Sequence, residues 1–149
     1  GQLNGALKLL SKAEKMDYGC CGNAWFEADN AINSLRYKIY MDKKDYEMAR
    51  NSLYYLFPSN RVDSIIIRTY QMEYGKDSLS NMIDSSLVNT RIECGKYHCY
   101  AIVSLTNGNV IRMRTRFSLD NITNEKKKAN IWVTWFKKSE IYRLVKGKD

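Results

Sequence analysis

Three arginines at alternate positions, Arg112, Arg114 and Arg116, are the chemical feature of most interest in the chain. On an extended strand, residues two apart share a face and sit roughly 7 Å from one another. Planar guanidinium forks in such a row could grip successive phosphates or carboxylates. Lys126, Lys127 and Lys128 follow closely and would extend the same basic surface. The competing reading makes the arginines an ordinary solvated sheet face, lying over small and aromatic neighbours.

The distribution of charge sharpens that choice. Residues 1–90 carry 11 basic and 11 acidic side chains, which cancel, whereas residues 91–149 carry 13 basic and 5 acidic and hold the whole excess of +8. An asymmetry of this kind suits an anionic partner, nucleic acid included, although it also serves solubility. No P-loop, zinc-finger or RNA-recognition pattern accompanies it.

Other reactive side chains are sparse. Cys20, Cys21, Cys94 and Cys99 lack the two separated pairs that a zinc site needs, so no metal is expected. Cys94 and Cys99 flank a turn. A two-residue turn at Gly95-Lys96 sets Cys94 opposite Tyr97 and leaves the cysteines as reduced structural thiols, the favoured reading; a four-residue turn would set Cys94 opposite Cys99 and allow a disulfide. The only histidine, His98, reads as packed beside Phe117 rather than catalytic. No paired-carboxylate or cofactor motif stands out, so enzyme activity is a minority reading and no cofactor is expected. Trp25, Tyr100, Trp132 and Trp135 are candidates to line a pocket, or simply to build core.

These residues need elements to hold them. Helical spacing of Ala6, Leu9, Leu10 and Ala13 predicts a helix over 4–16. A second over 24–41 would turn Trp25, Ala28, Ile32, Leu35 and Ile39 to one side, and a third from about 45 to 57 would bury Tyr46, Ala49, Leu53 and Leu56 before Pro58 stops it. The β-branched run Ile65-Ile66-Ile67 predicts a strand over 64–74. Residues 77–87 suit a short helix, 88–94 a strand, and 131–136 with 141–145 two further strands. Asn107-Gly108 predicts a type I′ hairpin, which opposes Ile102 to Met113 on the helix-facing side and Val103 to Arg112 on the other.

The stretch Tyr40-Met-Asp-Lys-Lys-Asp-Tyr46-Glu-Met-Ala49, followed by strands and Trp132/Trp135, resembles the small exported bacterial proteins of the nuclear transport factor two-like superfamily. The resemblance covers roughly residues 24–145 and is one of pattern. It implies a cone-shaped domain with a pocket between helices and a strongly curved sheet, used for binding more often than for catalysis. Asp45-Tyr46-Glu47-Met48-Ala49 and Ala6 to Ala13 also resemble tetratricopeptide repeats, which implies protein–protein interaction.

The expectation is therefore a single α+β domain over residues 1–149, helical to residue 60 and mainly antiparallel sheet from 61, with N-terminal helices packed on a curved meander. Its role would be noncatalytic binding of a small molecule or protein in a cleft between helices and sheet. Alternatives are a tetratricopeptide-like interaction module, polyanion binding through the basic sheet face, and a small enzyme with an acid/base pocket. Two copies could also pair through the sheet face. No apolar run approaches the ~18 residues that span a bilayer. Gly1 in place of Met fits either an expression scar or a processed start; the expectation leans to an exported protein that has lost a signal or lipid anchor, with a cytoplasmic one as the alternative.

Overall fold

A computed structural model of the chain describes residues 1–18, 22–57, 59–95, 99–115, 119 and 121–147. It has the expected α+β composition, with helices preceding an antiparallel sheet. Two compact units divide it, Gly1–Val62 and Asp63–Asp149.

The first unit is helical: α1 (Gln2–Glu14), α2 (Gly22–Asp42) and α3 (Tyr46–Tyr54). The turn between α2 and α3 follows from two residues. Lys44 takes a positive φ of 57° and lets the chain reverse, with Asp45 N–H returning to the Tyr40 carbonyl at 2.9 Å. Asp45 then caps α3 by accepting from Met48 N–H at 3.2 Å. Ile32, Ala49 and Leu53 are buried here together with polar Asn33, Arg50 and Ser52. Asn33 donates to the Asp29 carbonyl and Ser52 to that of Met48, each at 3.0 Å. The apolar stripe expected on α1 is not a core: no α1 residue is buried, and Leu9 is exposed. Trp25 and Leu35, expected on the inward side of α2, are exposed as well. Polar links tie these helices instead. Arg36 makes two bonds to the Glu14 carboxylate, at 3.0 and 2.7 Å. Those bonds hold Glu14 below the usual carboxylate range and raise Arg36.

The second unit corrects several expectations. Residues 64–74 are not a strand but part of α4 (Asn60–Tyr74), because Val62, Ile66, Ile67 and Tyr70 are buried at helical spacing. The short helix near 77–87 is α5 (Lys76–Ser86), and a 3-10 turn, Leu87–Asn89, follows it. The sheet has three antiparallel strands in sequential order, β1 (Thr90–Cys94), β2 (Cys99–Ser104) and β3 (Val110–Arg114). The expected strands at 131–136 and 141–145 are helices α6 (Glu125–Lys137) and α7 (Glu140–Lys146). Asn124 and Ser139 cap them, accepting from Lys127 N–H at 2.9 Å and Tyr142 N–H at 3.1 Å. Thus 61–149 is mainly helix around a small sheet, not mainly sheet. Lys126–Lys128, expected in a loop, form the first turn of α6.

The hairpin register differs by one residue from the expected one. Asn107 is not among the residues with positive φ, and Gly108 alone takes one, at 85°. A type I′ turn needs both, so the loop closes with three residues: Gly108 N–H meets the Leu105 carbonyl at 3.1 Å and Leu105 N–H meets that of Asn109 at 2.7 Å. Ile102 therefore opposes Arg112, and Ala101 opposes Met113. The neighbouring turn is also longer than the two-residue form. Cys94 opposes Cys99 and the two form a disulfide, with Cα atoms 4.0 Å apart. His98, Phe117, Cys20, Cys21 and Pro58 lie outside the described residues.

The core of this unit gathers where α6 packs on β1, and α5 and the 3-10 turn pack on β2. Trp132 is fully buried and stacks on Phe136 at 4.7 Å, which meets Tyr142 edge-on at 5.4 Å. Ala101, Ile102 and Val103 are consecutive and all buried, so β2 is covered on both faces. Tyr142 donates to Asp84 at 2.8 Å, and Lys146 pairs with the same carboxylate. Burial works against the charged form of Asp84, but these bonds outweigh it and hold its carboxyl below the ordinary value.

Candidate functional site

A groove of about 290 Å³ lies between α6 and the segment formed by the 3-10 turn and β1. The sequence builds its helical wall simply. Lys126, Ala129, Asn130 and Val133 recur at i, i+3, i+4 and i+7, so they share one side of α6. The facing wall is Leu87, Val88, Thr90 and Arg91. Val88 is 85% exposed, a large aliphatic side chain standing at the mouth.

The polar groups of the groove are unequally satisfied. Glu125 pairs with Lys128 at 3.2 Å, and Arg91 pairs with Glu93 at 2.9 Å and reaches Ser104 Oγ at 3.2 Å. Lys126 and the carboxamide of Asn130 have no partner among the described residues. Thr90 is 9% exposed, and its hydroxyl is buried without a hydrogen bond. The arrangement offers an apolar floor beside a cation and an amide that are both exposed to solvent. Such a lining can hold a ligand in one orientation.

The residues singled out in the sequence are only partly brought together. Lys126 lines the groove; Lys127 is exposed on the same first turn, and Lys128 is turned to Glu125. Arg112 is exposed and stands 5.8 Å from the centre of the Tyr100 ring. Arg114, on the same face, is only 4% exposed, so Arg112 and Arg114 do not make an open basic row. Arg116 lies outside the described residues. Trp25, Tyr100, Trp132 and Trp135 differ in placement. Trp25 is exposed in the first unit, Tyr100 is half-buried on β2, Trp132 is core and Trp135 is half-buried. Among the described residues no group of acidic, histidine or cysteine side chains could hold a metal ion.

Thr90, Arg91, Asn130 and Val133 were not recognised as site residues in the sequence. The signal existed. Asn124 is a good cap, and reading 124–137 as a helix puts Lys126, Asn130 and Val133 on one side.

A second groove, of about 260 Å³, belongs to the first unit and is bordered by Asn33, Arg36, Tyr40, Met48 and Tyr55 among others. Elsewhere on that unit the exposed rings of Phe26 and Phe57 meet edge-on at 6.2 Å, and Trp25 is exposed beside Phe26 in sequence.

No family model, curated protein or solved structure matches the chain.

Proposed function

We propose that the chain is a noncatalytic binding or accessory module whose ligand occupies the groove between α6 and the β1 edge. The observation that carries the reading is the lining itself: an apolar floor beside the side chains of Lys126 and Asn130, both exposed to solvent and without a protein partner among the described residues. This keeps the cleft between helix and sheet that a nuclear transport factor two-like resemblance implies, but locates it beside β1 rather than over the arginine strand. A ligand with a carboxylate or phosphate suits the free ammonium of Lys126. The Cys94–Cys99 disulfide supports an exported setting, where such bonds persist.

Amide shift mapping of the full chain tests the reading with small aliphatic and aromatic carboxylates and phosphates. Shifts should cluster at Val88, Arg91, Lys126 and Asn130 and weaken in Lys126→Glu. Shifts spread evenly over the surface, or confined to the first unit, would overturn it.

A second reading, protein–protein docking through the tetratricopeptide-like α2–α3 hairpin, is favoured by the exposed Trp25, Phe26 and Phe57. Polyanion binding has less support, because burial of Arg114 breaks the row on which it rested.

A further inference from the structure

The two edges of the sheet are finished differently. On β3, Arg112 N–H donates to the Tyr70 hydroxyl at 3.1 Å, so a side chain of α4 occupies that edge. The β1 edge follows from the hydrogen-bond phase. Thr115 N–H donates to the Cys99 carbonyl at 2.9 Å, so the main-chain polar groups of Cys99 point toward β3. Cys94, opposite Cys99, then sits in a non-hydrogen-bonded pair and directs its own N–H and C=O away from the sheet. Alternation sends those of Ile92, and the carbonyl of Thr90, the same way. The Thr90 N–H is already used, closing the 3-10 turn onto Leu87. Among the described residues no backbone group bonds to the outer side of Ile92 or Cys94. Of the residues whose main chain faces outward, Cys94 is exposed and Ile92 is 7% exposed, its side chain being in the core, and the groove begins at Thr90 and Arg91.

We infer that the occupant of the groove is an extended acidic peptide segment that adds to β1 as a fourth, outer strand beneath α6. The inference rests on the binding reading above and gives it a partner. An open edge beside a helix supplies both parts of strand addition: main-chain bonds for affinity and a lined groove for alternate side chains. Ile92 offers a donor and an acceptor to one residue of the incoming strand. Charge selects the acidic partner. The carboxylate that lines the groove, Glu125, is already paired with Lys128, and Glu93 on β1 with Arg91, while Lys126 has no counter-ion among the described residues. Apolar residues at alternate positions of the segment would meet Val88, Ala129 and Val133.

The probe is a short peptide of alternating valine and glutamate, compared with its fully N-methylated counterpart, which keeps the charge and loses the amide donors. The full chain should bind the parent with a Kd below about 1 mM and the N-methylated form at least tenfold more weakly. Lys126→Gln should weaken the parent, and Lys126→Glu more so, with unchanged circular dichroism. Amide exchange at Ile92 and Cys94 should slow on binding. Equal binding of both peptides would sink strand addition and leave a charge-selective groove. If neither peptide binds but small carboxylates still shift the groove residues, strand addition fails alone. If nothing shifts those residues, the binding reading falls with it.

Discussion

The two units solve the same problem with different means. Among the described residues of Gly1–Val62, few apolar side chains are buried, α1 buries none, and the helices are tied by Arg36 on Glu14 and Lys43 on Asn4. Asp63–Asp149 instead closes around Trp132, Phe136, Leu79, Ile83 and a β2 strand buried on both faces. Exposed ion pairs contribute at most about 1 kcal/mol each, whereas a large buried side chain contributes several-fold more. Most of the stability should therefore lie in the second unit. Its surface can then hold unsatisfied groups, such as Lys126 and the β1 edge, without losing the fold.

The largest expected effect tests that contrast directly. Trp132→Ala should cost about 3–5 kcal/mol by leaving a cavity against Phe136, whereas Leu9→Ala should stay within about 0.5 kcal/mol. Urea denaturation of both variants measures this, and equal losses would erase the contrast. Replacing Cys94 and Cys99 together by serine should cost about 2 kcal/mol, since the bond closes a short loop of chain. The comparison is the denaturation midpoint with and without reductant, and an unchanged midpoint would mean that the hairpin holds its register unaided.

The smallest effect concerns Asp84. Its folded pKa lies below the unfolded value of 3.8, so its contribution is fully present above that value. It should fade as pH falls through the lower folded value. Asp84→Asn should remove this component, on the order of 0.5 kcal/mol for so exposed a pair, and make the stability profile flatter below pH about 4. An unchanged profile would leave Lys146 and Tyr142 without an energetic role there.

The helices of the first unit were legible because they carry local signals, such as the Ala49–Leu53 spacing, although the faces expected for α1 and α2 were not buried. The second was misread where tertiary packing overrides local preference. Ile65-Ile66-Ile67 and Ile131-Trp132-Val133 look like strands by composition, yet the buried positions 62, 66, 67, 70 and 129, 132, 136 follow a helix. The hairpin was found, but its register hung on the backbone angle of Asn107, which residue type alone does not dictate. The groove was missed for a related reason, since its helical wall had been assigned to a loop and a strand. Of the candidate residues, Lys126 alone lines it.

The Tyr70 hydroxyl on Arg112 has a further consequence for assembly. A sheet open at both edges can recruit copies of itself without limit, which is the geometry of a fibre. Here Tyr70 takes one donor of the β3 edge, which works against a further strand joining on that side. Two copies meeting edge to edge would consume both open sides and close as a symmetric pair.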